Sequence, residues 1–442
     1  MGKPVILQAS TALDRAQRAA AALRDAGLRP GDRLVLLTHG SADYVAVVMG
    51  AVQTGVVPVP LDPTLTPAER APLLADADPA MVVDAPGRLH ELVSGRAGAV
   101  ELADVPLVRP MHYTSGTTGQ PKGVASGLLD EGSARALFDD ERDFWQIDAH
   151  DRHIVASPLH HSAPLRFSIT TLLSGGSLVL PGPFDAAVWA ASVAEHRPTT
   201  GFVVPAHLTR LLEHGMPDMG SVRLLAHAGA ACPEPLKRAT IEAVGETTVW
   251  EFYGSTEGQF TACRADEWLE RPGTVGRARP GRELSLDDDG HLWCRVPGFA
   301  RFEYWRDPER TASAWRGDAF TVGDLGRIDA QGYVYLDGRR EDLVISGGVN
   351  VYPAEVESAL CELDGVREAA VFGVPDERWG QRVCAAIVGD VDEAALVAWA
   401  RQRLAPAKRP KQLLRVSSLP RTTTGKVRRL ELSRALGLDE GM

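Results

Sequence analysis

Cysteine is scarce and scattered. The 442 residues hold five (Cys232, Cys263, Cys294, Cys361, Cys384), an odd number with no CxxC pair, so neither a disulfide framework nor a thiolate zinc site is indicated. A reducing, cytoplasmic setting is the expectation. Long apolar runs are missing too. The most apolar stretch, Tyr44 to Leu61, is broken by Gln53-Thr54-Gly55 and by Pro58 and Pro60, which suits a buried helix followed by a strand and not a membrane span. The segment Met1-Gly2-Lys3-Pro4-Val5-Ile6 has no apolar export core and no Ser or Thr at position 6, so no export or lipid signal is expected. Internal repeats and low-complexity tracts are absent, and 43 Gly with 30 Pro are too few for a collagenous chain. Positive charge is in deficit, 47 Lys and Arg against 58 Asp and Glu, and a net charge of −11 argues against general affinity for nucleic acid or anionic lipid.

What is present is an alternation of helical and strand-like segments. Thr11 to Ala26 reads as an alanine-rich helix, Asp32 to Leu37 as a strand, Ala42 to Val52 as a helix, Val56 to Pro60 as extended chain, Ala68 to Ala75 as a helix and Ala80 to Val83 as a short buried strand. The alternation recurs between Ile154 and Trp250. It predicts an α/β fold with largely parallel sheet, its strand ends available for ligands. Beyond Pro272, short strands separated by Asp288-Asp289-Gly290, Asp329-Ala330-Gln331-Gly332 and Asp337-Gly338 predict an antiparallel β module. After Asp342 the pattern is mixed: a helix over Pro353 to Leu363, strands at Ala369 to Phe372 and Val383 to Val388, and a helix over Glu393 to Leu404. The expected division is a large domain over 1–340 and a small α+β domain over 341–442. Ten Lys and Arg and no acid lie between 401 and 430, leaving the remainder of the chain at −21. Such a tract is either a solvated basic face or a surface that meets an anion.

The segment Tyr113-Thr114-Ser115-Gly116-Thr117-Thr118-Gly119-Gln120-Pro121-Lys122-Gly123-Val124 packs three glycines, four Ser and Thr hydroxyls and a lysine into twelve residues. Backbone N–H groups and hydroxyls in such a loop can surround phosphate oxygens, with Lys122 adding a point charge. It is not a Walker A loop, because the G-x-x-x-x-G-K-[ST] spacing is missing. This string resembles the signature loop of the adenylate-forming superfamily, which includes acyl- and aryl-CoA synthetases. Glu251-Phe252-Tyr253-Gly254-Ser255-Thr256-Glu257 is similar to that family's Y-G-x-T-E segment, and Thr321-Val322-Gly323-Asp324-Leu325-Gly326 to its T-G-D-L-G segment. The stretch from Asp337 to Glu357 resembles its hinge and following loop, and Leu419 to Arg428 its lysine motif. The motifs occur in family order across almost the whole chain.

The resemblance implies a large N-terminal domain and a small mobile C-terminal one, ATP and magnesium as the nucleotide and its ion, and CoA as cosubstrate. It also assigns roles. Lys426 would bridge the substrate carboxylate and the α-phosphate. Thr114, Ser115, Gly116, Thr117, Thr118, Gly119 and Lys122 would hold the β- and γ-phosphates, Thr256 would contact the α-phosphate, and Glu257 would help bind magnesium. Tyr253 would lie against adenine, Asp324 and Arg339 at the ribose hydroxyls, and Tyr335 also in the nucleotide site. Gly229, Ala230 and Ala231 would run along the adenine and acyl wall. Glu341 stands where the family usually has Asp or Lys as hinge, and Gly347 and Gly348 would line the pantetheine tunnel after the small domain rotates.

For the acid, Ser157 to Phe167 resembles the family's P-L-x-H segment, with His161 as an aromatic gate and Ser162, Val204, Gly229 and Gly254 beside it. The neighbouring histidines, His160 with His161 and His150 with His153, do not read as metal pairs. No aspartate stands where amino-acid-activating relatives anchor an α-amine, which favours an aryl or medium acyl carboxylate. Three acceptors stay open: free CoA, the phosphopantetheine of an acyl carrier protein, and an amine or other nucleophile. No nucleic-acid partner and no membrane span are expected, and the assembly is expected to be a monomer or homodimer. A competing reading, a nucleic-acid-binding protein using the 401–430 tract, predicts salt-sensitive binding that does not need ATP.

Overall fold

Alanine spacing sets the first helix pair of the computed structural model, which describes residues 4–95, 100–114, 122–339, 342–346, 349–376, 379–421 and 427–438. Helix Ala9–Asp25 buries Ala12, Ala16, Ala19 and Ala20 on one face, and helix Ala42–Gln53 lies against it. The approach is close enough that a Cβ at Gly50 would stand 2.4 Å from the Ala16 carbonyl oxygen, so only glycine fits. Every residue from Tyr44 to Gln53 is buried, which explains the apolar run without a membrane. No helix among the described residues is long and apolar enough to cross a bilayer.

The parallel sheet expected from the alternation is divided in two. Strand Arg33–Leu36 sits between Val57–Pro60 and Met81–Val83 in a three-stranded parallel sheet. The larger sheet runs parallel through Ser177–Leu180, Arg152–Val155, Thr200–Val203, Leu224–His227 and Val249–Gly254. Antiparallel strands complete its edges: Val5–Gln8 on one side, Gln259–Arg264 and Arg277–Ala278 on the other. The β-rich texture beyond Pro272 corresponds to a four-stranded antiparallel sheet and to the hairpin Asp324–Ile328/Val334–Arg339.

From Val344 onward the chain builds its own core. Strands Val366–Asp376 and Gly380–Gly389 pair antiparallel over their whole length, and helices Pro353–Cys361 and Glu393–Arg403 pack on them around Val356, Leu360, Val371, Val383, Ile387 and Leu396. Among the described residues, apolar clusters draw either on residues up to Val322 or on residues from Val344 onward, never on both. Part of the basic tract has a local use: Arg409 donates to the Leu404 and Arg401 carbonyls that end helix Glu393–Arg403.

Candidate active site

Four adjacent parallel strands deliver their carboxyl ends to one edge of the large sheet, the position where open α/β sheets bind ligands. After Arg152–Val155 come His161, which caps helix Ser162–Leu173, and Ser162, its first residue. Val204 follows Thr200–Val203, Gly229 to Ala231 follow Leu224–His227, and Tyr253 to Glu257 close Val249–Gly254. Gly229 adopts φ +92°, and a Cβ there would be 3.5 Å from Val204 Cγ1, so these two residues share a wall. The acyl candidates His161, Ser162, Val204, Gly229 and Gly254 therefore share one edge although they span 94 positions of the sequence.

On the phosphate side, hairpin His112–Thr114/Lys122–Ala125 sets Thr114 opposite Lys122. Ser115, Gly116, Thr117, Thr118 and Gly119, between them, lie outside the described residues. Lys122 Nζ is 3.1 Å from Glu257 Oε1 and donates to Tyr304 Oη at 3.1 Å, while Tyr304 Oη donates to Glu257 Oε1 at 2.9 Å. The same ammonium stands 4.5 Å from the Tyr304 ring centroid. Glu257 is 3% exposed. Burial alone would raise its pKa, but the charge and hydrogen bond of Lys122 outweigh it and hold the carboxyl below its ordinary value. Beneath it, the partly buried Arg109 donates to the Thr256 carbonyl at 2.9 Å and to the Glu257 carbonyl at 3.3 Å, fixing the backbone that carries both candidates. Burial, with repulsion from Arg166, brings the Arg109 pKa down to about 10.

Thr114 Oγ1 is buried with no hydrogen-bond partner among the described residues, as a hydroxyl awaiting a phosphate oxygen would be. Magnesium is usually held by one or two carboxylates together with phosphate oxygens and water, and the buried Glu257 carboxylate meets that requirement.

Among the candidate nucleoside residues, Tyr253 Oη donates to Asp324 Oδ2, and the Tyr253 ring stacks on Phe260 with centroids 4.7 Å apart. Asp324 pairs in register with Arg339 across the β-hairpin. Tyr335 is brought to neither Tyr253 nor Asp324 by any described hydrogen bond or ring contact. It faces Arg327 in register, whose guanidinium lies 3.7 Å from its ring. Lys426, Glu341, Gly347 and Gly348 lie outside the described residues. His160 Nε2 is 3.9 Å from Asp62 Oδ2, and no group of three or more metal-ligating side chains occurs among the described residues.

Sequence reasoning missed Tyr304, Arg109 and the buried Glu141. Each stands outside the motifs, and its place at the site comes only from the long-range approach of separate segments.

Comparison with known proteins agrees with this architecture. The AMP-binding enzyme family model matches residues 9–300, and the model of the AMP-binding enzyme C-terminal domain matches residues 355–426. The chain belongs to the AMP-binding enzymes, on their acyl- and aryl-CoA synthetase branch. It is 33% identical to the long-chain-fatty-acid–CoA ligase FadD13 of Mycobacterium tuberculosis, over 93% of this chain and 90% of that one. Identity is also 33% to a feruloyl-CoA synthase of an Amycolatopsis species, over 96% and 92%. The fold superposes on ATP-bound MatB from Rhodopseudomonas palustris with a TM-score of 0.85 and 31% identity, covering 97% of this chain and 93% of that one.

Proposed function

We propose that the protein is an ATP-dependent carboxylate–CoA ligase for an aryl or acyl acid. In the first half-reaction a carboxylate oxygen of the acid attacks the α-phosphorus of ATP, the bond to the β-phosphate oxygen breaks, and pyrophosphate leaves with its electron pair. In the second, the CoA sulfur attacks the acyl carbon and AMP leaves. The observation that carries the reading is the Lys122–Glu257–Tyr304 cluster at the carboxyl edge of the parallel sheet, with the acyl candidates along the same edge.

Both reactants of the first step are anions, so positioning and positive charge supply most of the catalysis. In this reading Lys122 and the Thr114 hydroxyl hold the outer phosphates, with Ser115 to Gly119 between them. Thr256 meets the α-phosphate on a backbone that Arg109 fixes. Magnesium, held by Glu257, supplies charge neutralisation at the phosphates. Asp324 and Arg339 receive the ribose hydroxyls, with Tyr253 locked to Asp324. Lys426 approaches the reacting carboxylate from the unit beyond 340. Rotation about Glu341 then withdraws it and brings Gly347-Gly348 toward the thiol path.

The test is exchange of labelled pyrophosphate into ATP across benzoate-like, naphthoate-like, short-chain and fatty acids, followed by product analysis with CoA, a carrier protein or amines. Exchange with at least one acid and a CoA thioester as product is expected. Absence of both exchange and ATP binding in folded protein sinks the reading, and exchange with transfer only to a carrier protein or amine replaces its second half.

A further inference from the structure

The acyl edge is backed by aromatic rings and crossed by charge. Phe202 and Phe252 belong to one buried apolar cluster against which Val204 packs, and Phe252 lies two residues before Gly254. Phe202 and Phe252 have centroids 5.8 Å apart. Phe167 stands 5.8 Å from Phe202, and Trp145 stands 5.4 Å from Phe167 and 5.7 Å from Phe252. All four are buried. Together they fill the space between helix Ser162–Leu173 and the sheet.

A polar bridge crosses the same space. A Cβ at Gly254 would be 3.5 Å from Gln259 Cγ. Gln259 Nε2 donates to Glu141 Oε2 at 2.7 Å. Glu141 Oε1 in turn accepts from Trp145 Nε1 at 3.0 Å and from Arg166 Nε at 2.9 Å. Arg166 is one helical turn after Ser162 and so on its face. The bridge therefore runs from one acyl candidate, Gly254, to the helix that begins with another.

Two features show that this bridge is incomplete. Arg166 spends only its Nε on Glu141, and its two terminal nitrogens have no hydrogen-bond partner among the described residues. Its side chain is 26% exposed, against 7% for Glu141. The charges also do not balance: Arg166, Arg279 and Arg282 meet Asp140 and Glu141, leaving one positive charge over. A guanidinium held at one edge with its two outer N–H groups open is the donor arrangement that takes a carboxylate or similar anionic group.

We propose that Arg166 determines the specificity of the acyl pocket, and that the acid is compact and carries a second anionic oxygen group, a short dicarboxylate being the simplest member. The proposal rests on the adenylation reading and narrows its substrate. The carboxylate to be activated lies toward Thr256 and Lys122, and the second group meets the outer nitrogens of Arg166. The ring layer excludes long chains.

The experiment is pyrophosphate exchange by the full-length protein with matched pairs: butanoate against succinate, pentanoate against glutarate, benzoate against isophthalate, with octanoate as the long-chain control. At least one diacid is expected to exceed its partner in kcat/KM by about 100-fold, the upper end of what leaving a hydrogen-bonding group unsatisfied costs. Arg166→Met should abolish that preference, mainly through KM, and should raise the rate with the monoacid. This gain cannot come from misfolding. Arg166→Lys, which keeps the charge but loses the fork, should fall between. If wild type prefers the monoacids, or if Arg166→Met lowers both members of a pair equally, Arg166 is only the counter-ion of Glu141 and the proposal falls while adenylation stands. If no acid supports exchange the proposal falls, and if the folded protein also fails to bind ATP, adenylation itself falls.

Discussion

Arg429 joins three parts of the C-terminal unit: its Nη1 donates to Asp342 Oδ2 at 2.8 Å and its Nη2 to Glu357 Oε1 at 2.8 Å. Asp342 directly follows the candidate hinge Glu341, and Arg429 lies three residues after the candidate catalytic Lys426. Glu357 Oε1 also accepts the Val371 N–H at 2.7 Å, so the clamp reaches the central sheet of this unit. Burial works against the guanidinium, but Glu357 and Asp342 outweigh it and raise its pKa. Arg429→Met is therefore expected to destabilise the C-terminal unit by about 2 kcal/mol, below the usual cost of breaking a fully buried ion pair because these groups are about one-fifth exposed. It should also slow pyrophosphate exchange by about 10-fold through loss of positioning. Urea unfolding with exchange kinetics checks both, and an unchanged exchange rate would show that the clamp does not position the lysine loop.

Tyr304 performs two tasks with one hydroxyl, accepting from Lys122 and donating to Glu257. Tyr304→Phe keeps the ring under the ammonium and removes these bonds. The expected result is a loss of about 10-fold in exchange, the equivalent of one hydrogen bond to a charged group. KM for ATP should rise, because the groups involved are those assigned to phosphate and magnesium. A variant with normal KM for ATP would place Tyr304 outside the nucleotide site.

Much of this arrangement was legible in the sequence, and what was not has a physical cause. The alternation placed helix Ala42–Gln53 and the strands ending at Pro60 and Val83 to within a residue or two, because apolar periodicity and turn residues are local signals. Strand Val5–Gln8 escaped notice. Four residues carry little pattern, and its partner Ser177–Leu180 lies some 170 positions away. Strands Val366–Asp376 and Gly380–Gly389 were read only over Ala369 to Phe372 and Val383 to Val388, and their pairing was not read at all. At the site, motif order brought out Lys122, Glu257, Tyr253 and Asp324, which the fold gathers into two contacting pairs. Arg109, Glu141 and Tyr304 carry no motif, since each is useful only where separate segments converge.

Glu141 makes acid stability testable. Burial favours its neutral form, yet Arg166 and Arg279 outweigh that and hold its pKa at about 2 against an ordinary 4.5. A carboxyl lowered on folding contributes stability that is complete above its unfolded value and disappears as pH falls through its folded value. The contribution is about 3 kcal/mol and should be lost between roughly pH 4.5 and 2. Urea unfolding of wild type should show that slope, and Glu141→Gln should flatten it while lowering stability at neutral pH. Equal slopes would assign the acid sensitivity to other groups.

Lys426 provides the sharpest division between the two half-reactions. If it acts only where the carboxylate and the α-phosphate meet, its charge is needed while the P–O bond forms and is of no use once the adenylate exists. Lys426→Ala is therefore expected to reduce pyrophosphate exchange by at least about 100-fold, the scale on which a single positioned charge stabilises a transition state. Thioester formation from synthetic acyl-AMP and CoA should remain within a few-fold of wild type. Measuring both rates on one preparation controls for folding, because damaged protein loses both. Equal loss of the two in a variant that still binds ATP and keeps the wild-type urea midpoint would mean that the lysine loop stays at the reacting centre throughout, and that rotation about Glu341 does not separate the steps.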